Sequence, residues 1–368
     1  MKLLILKNNL LTSLITIEKA VGINNNLPIL QNILLTLDEG KINITATNLD
    51  LAVTSYPLGK IIESGKVCIP FIVFYNIIKN INSEKIQLET QDKKLFIKID
   101  NYEASINIQN AEDFPIIPKI KNTNNKIIFN KDLLKNILFK ISEIVQESQI
   151  RPEISGVFIK INNNNINFVS TDSFRLIEKT ISLKEIKSNL NELELIIPLD
   201  TIQEIIKTFN EDKEIEFCIE DKQLLIKSEN QEIISHIIDS QFPDYKAIIP
   251  NNINNEFLIN KKEFINGLKL SSVLSGKTND VILNIPDNKK ILELYSSDSK
   301  IGEQKYLIPI KYKGEPIKIV FNWKFLIDGL KIFDEENVVF GINGNDKPAV
   351  IKGENDKSLL YVVMPIKS

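Results

Sequence analysis

Ile42-Asn43-Ile44-Thr45-Ala46-Thr47-Asn48 and Ile166-Asn167-Phe168-Val169-Ser170-Thr171-Asp172 are one pattern written twice. Pro28 stands 19 residues before Thr47 and Pro152 stands 19 residues before Thr171, so the two stretches share an offset of 124. A second pair closes each copy: Phe114-Pro115-Ile116-Ile117-Pro118 returns as Phe242-Pro243-Asp244-Tyr245, running on to Ile249-Pro250, at an offset of 128. A fainter third copy follows, in which Leu294-Tyr295-Ser296-Ser297-Asp298 echoes Phe168-Val169-Ser170-Thr171-Asp172. Periodicity of this kind marks a structural unit used again, and it outranks any single residue. Three tandem domains of similar fold are expected, at residues 1–120, 121–250 and 251–368.

Within a unit the apolar spacing predicts helix, strands, helix, strands. Met1-Lys2-Leu3-Leu4-Ile5-Leu6-Lys7 reads as a first strand. Leu10, Leu14, Ile17 and Val21 then form one helical stripe opposite Thr12, Thr16 and Lys19, with Gly22 as the stop. Strands are expected over 33–37, 41–47, 85–89, 94–99 and 103–109, with a helix opened by Pro70 over 71–80. In the second unit Asn130 caps a helix whose core stripe is Leu134, Leu138, Ile141 and Val145. A later helix turns Ile202, Ile205, Ile206 and Phe209 inward and Gln203, Lys207 and Asn210 outward. In the third, Asn260-Lys261-Lys262-Glu263 has the form of a capping box opening a helix through Leu274, and Asn322 caps a helix over 323–333. Each unit thus offers two helices with a polar, mildly basic face, and strands outnumber helices. The class is α+β with antiparallel sheets.

Composition excludes several functions. The chain is 43% hydrophobic and 25% charged, ordinary for a globular protein, and its formal net charge is −3. No apolar run approaches the roughly 20 residues that cross a bilayer, and the first residues acquire charge too soon for a signal peptide, so a cytoplasmic protein is expected. Cys68 and Cys218 lie in separate repeats amid strand-like residues and read as buried, reduced thiols. His236 is the single histidine and is read as an exposed strand position, which leaves no material for a histidine triad or a multi-histidine metal site. With 13 glycines and no phosphate-cradling loop, nucleotide chemistry has no support. Asp334-Glu335-Glu336 and Glu211-Asp212 fall beyond helix ends and read as solvated loop charges. No constellation of nucleophile, base or metal ligands rises above background, so no enzyme, cofactor or metal is expected.

Seven segments carry a resemblance that runs the length of the chain: Leu27-Pro28-Ile29-Leu30-Gln31-Asn32, Ala46-Thr47-Asn48-Leu49-Asp50, Glu112-Asp113-Phe114-Pro115, Thr171-Asp172-Ser173-Phe174-Arg175-Leu176, Phe242-Pro243-Asp244-Tyr245, Phe321-Asn322 and Tyr361-Val362-Val363-Met364-Pro365. In this order they resemble the β subunit of bacterial DNA polymerase III, the sliding-clamp family. The resemblance implies the DNA-clamp processivity fold, in which three domains per protomer and a head-to-tail homodimer make a six-domain ring. Helices would face a central hole and sheets would form the outer wall. Members encircle double-stranded DNA without reading its sequence, tether the DNA polymerase III catalytic subunit, and catalyse nothing themselves.

The same resemblance assigns sites. Lys79, Lys131, Lys135, Lys207, Lys324 and Lys331 would make loose phosphate contacts, a reading compatible with net negative charge because screening confines each surface charge to about 8 Å. Asn24 stands where many relatives place an arginine that reaches DNA, and Leu199-Asp200 replace residues often basic in the family. A groove between the second and third domains would receive a short partner peptide with an apolar anchor, from polymerases, the clamp loader and other clamp-binding proteins. Its matching positions are Ile154, Thr171, Phe174, Arg175, Leu176, Pro243, Ile248, Phe325, Val362, Met364, Pro365 and Ile366. Apolar walls would bury the anchor, Met364 would adapt to it, and Arg175 would orient its backbone or carboxylate. The dimer seam would pair the strand of Ala104, Ile106 and Ile108 with Val273-Leu274 of the other protomer. Two other classes stay open on the residues alone: a repeat scaffold that does not bind DNA, and a hydrolase or nuclease with an unrecognised carboxylate site.

Overall fold

The computed structural model describes residues 1–368 except 23–25, 39, 121–124, 163, 211, 251, 288–289 and 368. Six helices occur among the described residues, two in each third of the chain: α1 (Lys7–Ile17), α2 (Phe71–Asn80), α3 (Lys131–Ser142), α4 (Leu199–Thr208), α5 (Lys261–Ser272) and α6 (Trp323–Lys331). Each follows directly on a strand, and the junction residue often serves as the cap. Asn130 Oδ1 accepts from Leu133 N at 3.1 Å, Asn260 Oδ1 from Glu263 N at 3.1 Å, and Asn322 Oδ1 from Lys324 N at 3.0 Å. Each such bond satisfies one orphan donor of a first turn, worth about 1 kcal/mol.

Contacts divide the chain into two compact units. The first comprises Met1–Lys135, Ile186–Leu190 and Asp200–Ile237, and the second Asn136–Glu185, Asn191–Leu199 and Ile238–Ser368. The first unit holds a five-stranded sheet in the order Gly59–Glu63, Lys2–Leu6, Lys85–Gln91, Lys94–Ile99, Tyr102–Asn107. Its nine-stranded sheet runs Lys187–Ser188, Lys126–Asn130, Glu214–Glu220, Gln223–Lys227, Gln231–His236, Leu51–Ser55, Lys41–Thr47, Asn32–Asp38, Gly65–Pro70. The second unit has a nine-stranded sheet in the order Leu193–Pro198, Gly156–Asn162, Asn165–Thr171, Arg175–Ser182, Leu359–Val363, Ala349–Gly353, Asn337–Ile342, Asn255–Asn260, Lys311–Lys313. Its four-stranded sheet runs Gly302–Pro309, Ile291–Asp298, Asp280–Ile285, Ile317–Asn322.

The sheets do not stop at residues 120 and 250. In the first unit Gln231–His236 pairs antiparallel with Leu51–Ser55, setting Gln231 against Ser55 and Ser235 against Leu51. In the second, Leu359–Val363 pairs in the same way with Arg175–Ser182, setting Val363 against Arg175 and Tyr361 against Ile177. An edge strand left open exposes a row of unpaired donors and acceptors, and here each repeat closes the edge of its neighbour. The middle repeat is therefore shared between the two units.

Several local expectations change. α1 ends at Ile17, a short 3₁₀ turn spans Glu18–Ala20, and Val21 is extended. Gly22 does not cap the helix: its N–H donates to Leu30 O at 2.9 Å, and a Cβ there would meet the Leu30 Cβ at 2.6 Å, so glycine permits a close chain crossing. α5 stops at Ser272, with Val273 as its C-cap, short of Leu274. The strands Leu51–Ser55, Gly59–Glu63 and Gly65–Pro70 had no sequence expectation. Leu51–Ser55 is buried at every position, so it shows no alternation to read.

The helix faces also differ. α2 exposes Ile72 and Val73, and α3 exposes Phe139, so their outer sides are not wholly polar. α4 buries Thr201, Glu204 and Thr208 beside its apolar stripe. Cys68 and Cys218 are buried, and burial pushes both thiols up to about 11, which leaves little thiolate at neutral pH. His236 is exposed at a strand end. The four described loop carboxylates all have partners: Asp212 is buried and accepts from Gln231 Nε2 at 2.9 Å, Glu335 accepts the backbone N–H groups of Asn355 and Asp356, Asp334 pairs with Lys140 at 2.5 Å, and Glu336 accepts from Asn260 Nδ2 at 3.2 Å. Glu211 lies outside the described residues.

Candidate functional site

A tight hairpin builds the site. Thr171 Oγ1 donates to Arg175 O at 2.8 Å and accepts from Ser173 N at 3.2 Å, while Asp172 Oδ1 accepts from Phe174 N and Arg175 N at 3.0 and 2.9 Å. Ser173 takes φ +78°, the left-handed region, which a non-glycine residue enters at a cost that these four bonds offset. The turn throws Phe174 out, 60% exposed, and turns Arg175 in, 7% exposed.

Arg175 is the electrostatic centre. Its Nε donates to Asp172 Oδ2 at 2.8 Å and its Nη1 to Asp328 Oδ2 on α6 at 2.6 Å. The guanidinium carbon lies 4.4 Å from the centroid of the Phe325 ring, and Phe325 stacks on Phe174 with centroids 6.2 Å apart. Burial would lower the Arg175 pKa, yet the two carboxylates outweigh it and hold the group firmly charged. Below, the buried Tyr361 donates to Phe325 O at 2.7 Å, and a Cβ on Gly329 would meet its ring at 2.3 Å, so α6 is seated closely on the last strand.

Nε and Nη1 of Arg175 are engaged within the chain, so the guanidinium is fixed against the wall of the groove. Leu176 and Val362 face one another across the strand pair and are fully buried, together with Ile154, Phe158, Phe242 and Tyr245, so they form a floor. Tyr245 donates to Glu178 Oε1 at 2.9 Å, and burial beside that carboxylate raises its pKa strongly. The tail crosses the hairpin: Met364 N donates to Phe174 O at 2.8 Å and Ile366 N to Val320 O at 2.8 Å. Met364 is half-buried, Pro365 buried, and Ile366 and Ile248 exposed. Pro243 O accepts from Tyr245 N at 2.7 Å and so fixes the turn that leads into Tyr245.

Thr171, Phe174, Arg175, Phe325 and Met364 are thus brought into one patch over the floor of Ile154, Leu176 and Val362. Sequence reasoning missed Asp172, Asp328, Tyr361 and Arg151, whose Nη1 donates to Ser173 Oγ at 2.6 Å. The available signal was chemical: a buried arginine requires carboxylates, and Asp172 and Asp328 are the ones within its reach.

The six lysines divide evenly. Lys79, 5.7 Å from the Tyr75 ring, Lys324, 5.5 Å from the Trp323 ring, and Lys331, 3.8 Å from Asp328, are exposed. The other three are half-buried and tied down. Lys131 Nζ donates to Asn210 O at 2.9 Å, Lys135 Nζ to Asn210 Oδ1 at 2.6 Å, and Lys207 Nζ to Ile15 O at 3.3 Å. Burial lowers the Lys135 pKa, with the charge of Lys131 adding to the shift. Asn24 lies outside the described residues.

At the expected seam Tyr102–Asn107 is a sheet edge, with Ala104 and Ile108 half-buried. Ile106 is buried within its own chain. Val273 is 71% exposed and Leu274 half-buried. No group of three or more His, Cys, Asp or Glu side chains able to hold a metal occurs among the described residues.

Comparison with known proteins agrees along the whole chain. Three family models match in order: the DNA polymerase III beta subunit N-terminal domain over residues 1–118, its central domain over 128–244 and its C-terminal domain over 246–367. The chain is 26% identical over 384 residues to a beta sliding clamp of Bacillus subtilis, covering 100% of both. It superposes on the crystal structure of the Bacillus subtilis DNA polymerase sliding clamp with TM-score 0.93 at 24% identity, covering 100% of this chain and 99% of that one. A sliding clamp from Pseudomonas aeruginosa bound to griselimycin matches with TM-score 0.93 at 20% identity and 100% coverage of both chains.

Proposed function

The chain belongs to the DNA polymerase III beta subunit family, the non-catalytic sliding clamps that make replication processive, and from that premise we propose how this particular sequence closes a ring, touches DNA and receives its partners. The ring is a head-to-tail homodimer of three-domain protomers, with domains over residues 1–120, 121–250 and 251–368. It works in the cytoplasm; no helix among the described residues is long and apolar enough to cross a membrane.

One observation carries the reading. Two strand junctions join repeats within the chain, and two edges of the corresponding kind are left unpaired: Tyr102–Asn107 and Gly302–Pro309. Across their hairpins Ala52 faces Thr47, Leu176 faces Thr171 and Glu303 faces Ser297, which makes Glu303 the third member of that set. Ala52 pairs with Ile234 and Leu176 with Val362; the residue corresponding to Ile234 on the first repeat is Ser105. The same register sets Ser105 opposite Glu303 of the partner subunit and Glu103 opposite Lys305 of the partner subunit. Edge strands are templates for such pairing. Val273, exposed at the end of α5, adds apolar area beside it.

Duplex DNA passes through the ring, and Lys79, Lys324 and Lys331 make loose phosphate contacts without base readout, as sliding requires. The groove beneath Phe174, Phe325 and Met364 takes the apolar anchor of a short peptide from the polymerase catalytic subunit, the clamp loader or another clamp-binding protein. The test is retention on nicked circular DNA after loading. Rings held by topology are lost when the circle is cut; equal loss from circular and linear DNA would reject the reading. Val273→Asp with Leu274→Asp yields monomers by light scattering, and an intact dimer would place the seam elsewhere.

A further inference from the structure

The hairpin Thr171–Arg175 has a twin in the first unit, and the pair isolates what is special to the groove. Thr47 Oγ1 donates to Leu51 O at 2.9 Å and accepts from Leu49 N at 3.0 Å, while Asn48 Oδ1 accepts from Asp50 N and Leu51 N. Leu49 has φ +82°, as Ser173 has +78°. Backbone and turn chemistry are therefore repeated, and only the cargo differs. Leu51 stands where the groove has Arg175, and Thr201, third residue of α4, stands where the groove has Phe325, third residue of α6. The aromatic wall occurs where the arginine and its α6 carboxylate occur together.

The geometry points to Asp328 as a positioning residue for peptide docking: it holds the Arg175 guanidinium beneath the Phe325 ring, so that Phe325 and Phe174 present a fixed aromatic wall and the arginine charge is withheld from the ligand. The inference rests on the peptide-groove reading and deepens it. Asp328 Oδ2 takes Nη1 at 2.6 Å while Asp172 takes Nε at 2.8 Å, and a guanidinium gripped at two edges cannot rotate out of its plane. Its central carbon lies 4.4 Å from the Phe325 centroid, close enough for a cation to hold the ring in place. Asp328 is itself 29% exposed in its side chain and lies under the wall, with Lys331 3.8 Å away. It therefore acts on a ligand through Arg175 and Phe325. Arg175, Arg151 and Lys331 are balanced around the wall by Asp172, Asp328 and Glu153, so the groove selects apolar anchors and does not favour acidic flanks.

The experiment uses the full-length protein and a fluorescein-labelled peptide with a Leu-Phe anchor, made with neutral or acidic flanks and read by fluorescence anisotropy. Wild-type protein binds both peptides equally; no binding at all would overturn the groove reading itself. Asp328→Asn weakens the neutral peptide about tenfold and shifts preference toward the acidic one, because Arg175 is partly released. Asp328→Glu restores most of the affinity and the lack of charge preference. In an Arg175→Met background Asp328→Asn has no further effect, as expected for a residue acting through Arg175. Wild-type affinity and charge preference in Asp328→Asn, or equal losses in both backgrounds, would overturn the positioning role. If Asp328→Asn fails to fold, Asp328→Ser decides: a shift in preference toward the acidic peptide supports the proposal, and a uniform loss for both peptides overturns it.

Discussion

Glu204 and Asp328 stand at the same step of corresponding helices, each the sixth residue of its own, yet their carboxylates meet opposite fates. Asp328 grips Arg175 at 2.6 Å. Glu204 is fully buried, accepts one bond from Thr208 Oγ1 at 2.8 Å, and its Oε2 has no hydrogen-bond partner among the described residues. The residue corresponding to Arg175 in that unit is Leu51, so the repeat has kept a carboxylate there without the arginine.

Glu204→Gln should therefore stabilise the protein at neutral pH. Burial raises the Glu204 pKa above its ordinary value, so the folded state holds a proton more tightly than the unfolded chain. Stability is highest below the unfolded pKa, near 4.3, and falls as pH rises through the folded value. The amide removes that loss, by roughly 1–3 kcal/mol. Calorimetric melting points against pH check this; parallel curves for the two proteins would refute it.

Phe174→Ala and Met364→Ala should each weaken peptide binding without lowering the melting temperature, since Phe174 is 60% exposed and Met364 half-buried. Arg175→Ala should behave differently. It strands two carboxylates and costs on the order of 3–5 kcal/mol of stability. Paired thermal melts and peptide titrations separate the cases, and a fully stable Arg175→Ala would contradict the ion cluster.

Glu103→Lys should weaken the dimer by about 1 kcal/mol per seam through repulsion of Lys305, and Lys305→Glu added to it should restore association. Both side chains already lie in ion pairs, Glu103 with Lys98 at 3.8 Å and Lys305 with Glu293 at 2.7 Å, so the seam would extend a charge network. Sedimentation equilibrium reads the result. A double variant no stronger than the single would argue for another register.

Lys79→Ala, Lys324→Ala and Lys331→Ala should each reduce the slope of log K against log salt for DNA binding by roughly two per ring, one for each copy. Lys135→Ala should leave the slope unchanged, because its ammonium is committed to Asn210 Oδ1 at 2.6 Å. Equal effects at all four positions would mean that Lys135 leaves Asn210 to meet phosphate.

Much was legible in the linear chain because it depends on local chemistry. The repeat offsets, the asparagine caps of α3, α5 and α6, the strands over 41–47 and 94–99, and the turn at Thr171-Asp172 all follow from neighbours in sequence. The family resemblance added the positions of the groove, and those of Phe174, Phe325 and Met364 form one patch.

What only the tertiary structure decided is partnership between distant residues. Burial and charge pairing depend on which strands close which edges, and a residue read alone carries no record of that. Val363 meets Arg175 because the last strand completes the sheet of the middle repeat. Nothing in the linear sequence links Lys131 and Lys135 to Asn210, 79 and 75 residues away, to which both donate. The sequence by itself determined a threefold repeated α+β chain with capped helices, since helix caps, turns and periodicity are short-range. Which carboxylate holds Arg175 and which is left unpartnered were settled only by the packing of α6 and α4, because the energy of a buried charge is set by the groups that surround it in space.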